Sequence, residues 1–108
     1  MIKKVQEILT SQSADFNSEF IDIELFKMFS VEVNVTNGSS YAGTVAIEVC
    51  NDYDKGGWVE VTDTSLALTG ATDIQLYDVV DSAVSYVRLK FVVTTGSADF
   101  EIDWTIKG

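Results

Sequence analysis

The sequence predicts an all-β fold: a two-sheet antiparallel sandwich of about eight strands, jelly-roll-like or Ig-like, preceded by an N-terminal arm or edge strand. Three observations predict it. Apolar residues recur with period two along most of the chain, the repeat of a half-buried strand. The breaks between these runs carry Gly, Asn, Asp and Ser, which turn the backbone at low cost. The 108 residues, 46% of them hydrophobic, suit one packed core and leave no room for a second domain.

Each element follows in order. Ile2, Val5, Ile8 and Leu9 fit one face of a short helix, whereas Val5, Glu7 and Leu9 fit a strand. The polar, β-leaning stretch from Thr10 to Asn17 favours an extended arm or edge strand over residues 1–17, with the sandwich over 18–108. Phe20–Phe26 reads as a strand with Ile21, Ile23 and Leu25 on one face. Phe29, Val31, Val33 and Val35 alternate with Ser30, Glu32 and Asn34. The segment Thr36–Ser40 contains an Asn-Gly pair that supplies positive φ and predicts a turn.

Val45, Ile47 and Val49 form the next apolar row, with Thr44, Ala46 and Glu48 on the other face. Asn51–Gly57 reads as a long hairpin loop, after which Val59 and Val61 alternate with Trp58 and Glu60. Leu66 and Leu68, then Ile74 and Leu76, mark two strands around a turn at Thr69–Asp73. Val87, Leu89, Phe91 and Val93 alternate with Arg88, Lys90 and Val92. Phe100, Ile102, Trp104 and Ile106 alternate with Glu101, Asp103 and Thr105, which puts Trp104 in the core row. Thr94–Ala98, with Gly96, predicts the turn joining these last two strands.

Composition narrows the function. Seventeen acids against seven bases give a net charge of −10, and the acids form no block or tail. Such a surface repels phosphate backbones and anionic headgroups, so neither nucleic acid nor a membrane is an expected partner. No apolar stretch approaches the ~20 residues of a membrane span. The first residues carry no apolar signal core, which reads as synthesis in the cytoplasm.

The single cysteine, Cys50, continues a strand and excludes an intrachain disulfide. The absence of histidine removes the common nucleophile–base arrangements and His-metal sites. Gly56-Gly57 is followed by Trp58 and makes no phosphate loop. No enzyme activity, cofactor or metal is therefore expected. Asp52, Asp54, Gly57 and Asp63 do fall at positions 1, 3, 6 and 12 of a calcium-loop count. Gly56 at position 5 and Asp63 in place of glutamate make a solvated hairpin loop the simpler reading.

Tyr41, Tyr53, Trp58, Tyr77 and Tyr86 fall in loops or opposite the aliphatic rows. Such aromatics stack on sugars, anchor protein interfaces, or fill the second side of a sandwich. Tyr53 and Trp58 are the candidate binding surface, with a glycan as one ligand class.

The segment Thr44–Val61, TVAIEVCNDYDKGGWVEV, resembles the "strand, Ser-Asn-Asp-Gly-x-x-Trp, strand" hairpin of small β-sandwich virion proteins of tailed bacteriophages. Tyr86–Ser97 and the strand closing on Ile106, Lys107 and Gly108 are similar to their Tyr-Val-Arg strand, Gly-Ser turn and terminal strand. The resemblance covers roughly residues 20–108; Cys50 stands where serine is usual, and Tyr53, Asp54 and Lys55 lengthen the turn. It implies a non-enzymatic structural protein of the virion, foremost a capsid decoration (cement) protein on the outer shell. The alternative it implies is a tail or adsorption component with a carbohydrate-binding sandwich. The implied partners are the major capsid protein or other virion proteins, and a homo-oligomer fits. On this reading Ile2, Val5, Ile8 and Leu9 contact a partner, or else complete the domain's own sandwich.

Overall fold

The computed structural model describes residues 2–23, 28–51, 57–61, 66–69, 73–80 and 85–107, with side chains except at 28 and 73–80. The strands are β1 (Ile2–Gln12), β2 (Phe16–Asn17), β3 (Ile21–Asp22), β4 (Met28–Cys50), β5 (Val59–Glu60), β6 (Leu66–Thr69), β7 (Asp73–Val80) and β8 (Tyr86–Lys107). All pair antiparallel in one hydrogen-bonded sheet.

Two strands organise everything else. β4 and β8 run for 23 and 22 residues, about four times the usual strand length. They pair along their whole length, from Met28 opposite Lys107 to Cys50 opposite Tyr86. In a first layer, the start of β4 and the end of β8 lie between β7 and β1. In a second layer, the end of β4 and the start of β8 lie between β5 and β6 on one side and β2 and β3 on the other. The continuous sheet folds across its middle, so its two halves form the predicted antiparallel sandwich around a shared core.

The fold line corrects two of the expected turns. Thr36–Ser40 and Thr94–Ala98 do not reverse the chain; β4 and β8 pass straight through them. Their turn residues bend the strands instead. Asn37, Ser40 and Gly96 take φ of 51°, 52° and 69°, and Ser11 of β1 takes 52°. These left-handed residues are bulges, which sharpen a strand's twist and kink it. The ladder slips by one residue as a result: Val35 faces Phe100 before the bend, and Val45 faces Phe91 after it.

Asp99 ties the bulges together. Its Oδ1 accepts the Ser11 amide at 2.7 Å and its Oδ2 accepts the Asn37 side-chain amide at 2.8 Å. These two bonds hold its carboxyl below the ordinary value of 3.8. A depressed carboxylate contributes stability above its unfolded pKa and loses it as the pH falls through the folded one. Acid titration of the wild type should therefore show a loss of thermal stability below about pH 4 that is smaller in Asp99→Asn, with the variant less stable than wild type at neutral pH.

The slip also sets which residues meet the core. Phe29, Val31, Val33 and Val35 point inward from β4, and Phe100, Ile102, Trp104 and Ile106 from β8. Past the bend, Val45 and Ile47 continue the β4 row while β8 changes parity to Val87, Leu89 and Phe91. Aromatic rings join the layers: Phe100 lies 5.0 Å from both Phe91 and Phe16, and Phe16 stacks on Phe91 at 4.4 Å.

Tyr41 differs from the sequence reading, which put it in a loop or opposite the aliphatic rows. It is 3% exposed and meets Phe100 edge-on at 5.3 Å. It shares the odd parity of the inward β4 rows on either side of the bend. Its hydroxyl finds no hydrogen-bond partner among the described residues, and burial pushes its pKa up to about 12. A buried, unpaired hydroxyl is a cost, so Tyr41→Phe should stabilise the protein by about 1 kcal/mol, read from the urea midpoint.

Candidate functional site

The second layer carries an aromatic cluster on its outer face. In β8, Val87 and Leu89 point into the core, so Tyr86 and Arg88 point out. In β4, Glu48 lies directly opposite Arg88, and Cys50 opposite Tyr86. Arg88 Nε donates to Glu48 Oε1 at 2.9 Å, and the guanidinium lies 4.2 Å from the centre of the Trp58 ring. Phe20 meets Tyr86 at 5.6 Å and Trp58 at 6.4 Å.

This arrangement explains a burial pattern that alternation did not predict. Ala46 and Glu48 were read on the face opposite the aliphatic row, yet both are buried, as is Cys50 beside them. Trp58 and Arg88 pack over this part of the sheet. A carboxylate at 8% exposure is tolerable because a guanidinium pairs with it. The lone thiol, being buried, is not presented to another chain.

Phe20 is the residue that sequence reasoning missed. The expected strand Phe20–Phe26 placed it outside the core row but gave it no role. Phe16 and Ser18 face inward, then Ile21 and Ile23 do, so the parity changes between Ser18 and Ile21. Ser18 secures the slip: its amide donates to the Leu89 carbonyl at 2.9 Å, and its Oγ accepts the Leu89 amide at 2.7 Å. Phe20 is left 44% exposed beside Trp58. The only available signal was the polar Asn17-Ser18-Glu19 interruption before an apolar run.

The other predicted site residues separate. β1 is a strand, so the four apolar residues do not share a face: Val5 and Leu9 pack against the core, while Ile2 and Ile8 are 62% and 64% exposed. Trp58 lies in the aromatic cluster, half-buried. With Arg88 over one face of its indole, a stacked sugar would have only the other face. Tyr53, the calcium-loop aspartates Asp52, Asp54 and Asp63, and Leu25 lie outside the described residues, as do the side chains of Ile74, Leu76 and Tyr77. Among the described residues, no group of three His, Cys, Asp or Glu could hold a metal ion. A shallow groove of about 400 Å³ crosses the outer face of the first layer, bordered by Lys4, Gln6, Ser30, Glu32, Asp103 and Thr105.

No family model and no curated protein matches the chain. Solved structures do. A subunit of the disulfide-linked pili of Bacillus endospore appendages superposes with a TM-score of 0.66 at 14% identity, covering 98% of this chain and 84% of that one. The PBSX exported protein XepA gives 0.66 at 17% identity over 96% of this chain, which spans 37% of XepA. The SPBc2 prophage-derived protein YomS gives 0.53 at 11% identity, covering 98% and 94% of the two chains. At these identities the likeness is one of fold, and the all-β sandwich expected from the virion-protein resemblance is the fold these chains share.

Proposed function

We propose that the protein is a non-enzymatic structural component of a phage virion, acting as a decoration (cement) protein on the outer shell. The observation that carries this reading is the outer face of the second layer. It combines Trp, Tyr and Arg, the residue types that dominate binding energy at protein interfaces, with exposed Phe20. A fold shared with a prophage-derived protein supports the same reading. Docking would stabilise the assembled shell by mass action, since only the assembled lattice offers the complementary surface. The acidic remainder of the domain keeps decorated particles apart.

The test is co-sedimentation of purified protein with capsids that lack it. Saturable binding at a fixed ratio to the major capsid protein is expected, and Phe20→Ser should weaken it about tenfold or more. Phe20 is exposed, so the variant should melt close to wild type. A protein that stays in the supernatant at every concentration would sink the decoration role and point to the tail.

A further inference from the structure

β1 is an edge. Its one partner among the described residues is β8, and no other described strand pairs with its other side. The ladder with β8 is regular from Ile2 to Leu9 and breaks between Leu9 and Gln12, so the straight part of the edge is residues 2–9. Exposed edges of this length invite a further strand unless something blocks them. Two of the four large hydrophobic residues exposed on the described surface, Ile2 and Ile8, lie on it.

The sequence of this edge complements itself. Alternate residues of a strand present their N–H and C=O to the free side, so two identical strands can meet antiparallel only with odd residues opposite odd and even opposite even. Few registers remain. Centred on Lys4, the two copies would oppose Lys4 to Lys4; centred on Glu7, they would oppose Glu7 to Glu7. Centred on Gln6, Ile8 would meet Lys4 and Val5 would meet Glu7. Centred on Val5, every pair is favourable. Ile2 meets Ile8 of the second copy, Lys3 meets Glu7, Lys4 meets Gln6, and Val5 meets itself on the axis. Directly opposed apolar and opposite-charge pairs are the units that stabilise a sheet.

We propose that β1 binds the β1 of a second copy, antiparallel about a two-fold axis at Val5, so that the first layer runs continuously through a symmetric dimer. The contact is isologous, so it closes as a dimer and does not propagate. It also provides for Glu7. This half-buried carboxylate accepts the Glu19 amide at 3.1 Å, and the charge acting on it within the chain is that of Glu19, of like sign. In the dimer Lys3 of the second copy supplies the missing cation. Lys3 is itself exposed in the single chain. Occupation of this edge leaves the aromatic face of the second layer open.

Sedimentation velocity on the purified protein, at concentrations up to about 1 mM, tests the pairing. A concentration-dependent dimer is expected. Lys3→Glu should weaken it about tenfold, because it places two like-charged pairs across the two-fold. Adding Glu7→Lys to that variant should restore dimerisation by swapping the charges. Since Glu7→Lys also loses the bond to the Glu19 amide, the register is tested independently with exposed positions. Oxidising a mixture of Ile2→Cys and Ile8→Cys chains should give cross-linked heterodimers, with little cross-linking of either variant alone. A monomer at every concentration, or equal cross-linking of the variants alone, would overturn the proposal. The measurement needs no capsid, so its failure leaves the virion role standing.

Discussion

Phe100→Ala is expected to cost about 3–5 kcal/mol of folding stability, the range for removing a large aromatic from a packed core. Phe100 is 1% exposed and touches three other rings. It projects from the first-layer half of β8, Phe91 projects from the second-layer half of the same strand, and Phe16 from β2 completes the junction. Truncation would open a cavity where the sheet folds on itself, and rings held from two layers cannot easily collapse to fill it. Phe100→Leu keeps most of the apolar volume and should lose roughly half as much or less. Urea denaturation followed by tryptophan fluorescence measures both, since Trp104 is buried in the same core. A Phe100→Ala loss below about 1 kcal/mol would mean that the layers do not depend on this junction.

Gly96→Ala should cost about 2–4 kcal/mol, although it adds a single methyl group. Gly96 takes φ of 69°, which disfavours any side chain, and an added Cβ would collide with the backbone of Ser39 and Ser40 on the neighbouring strand. Backbone on both sides of the clash leaves no flexible side chain to move. The Thr95 hydroxyl, which donates to the Ser40 carbonyl at 2.9 Å, holds the two bulges against each other and would have to yield as well. Gly57→Ala is the control. A Cβ there meets nothing within 4 Å, so its melting temperature should stay close to wild type. If the two glycine variants melted together, the bend would not need the left-handed residue.

The rows of the core were legible in the sequence because side-chain alternation is a local property of an extended backbone. Phe29 to Val35, Val87 to Phe91 and Phe100 to Ile106 each needed only their own period of two. Trp104 could be placed for the same reason. Glu48 could not, because its burial depends on Arg88, which is 40 residues away, and on Trp58 packing over that arginine. Phe20 could not either. A one-residue slip beside Ser18 decides which way it points, and the slip is held by the distant Leu89 backbone.

The sequence alone determined that this is a β-sandwich with a period-two core, an acidic surface, and no histidine or second cysteine on which to build common catalytic or metal chemistry. It also marked where the backbone would depart from extended geometry, at Asn37-Gly38 and at Gly96. Only the tertiary structure decided what those departures do. A left-handed residue sets a local dihedral angle, but whether the chain then reverses or merely bends depends on what its neighbours hydrogen-bond to. Here β4 and β8 remain paired through the break, and Asp99 fastens the bulges of β1 and β4 to β8. Two expected turns therefore became one fold line across a continuous sheet. The same distinction governs the edge: its residues could be read in the chain, but the free side of β1 was defined only once β8 had taken the other.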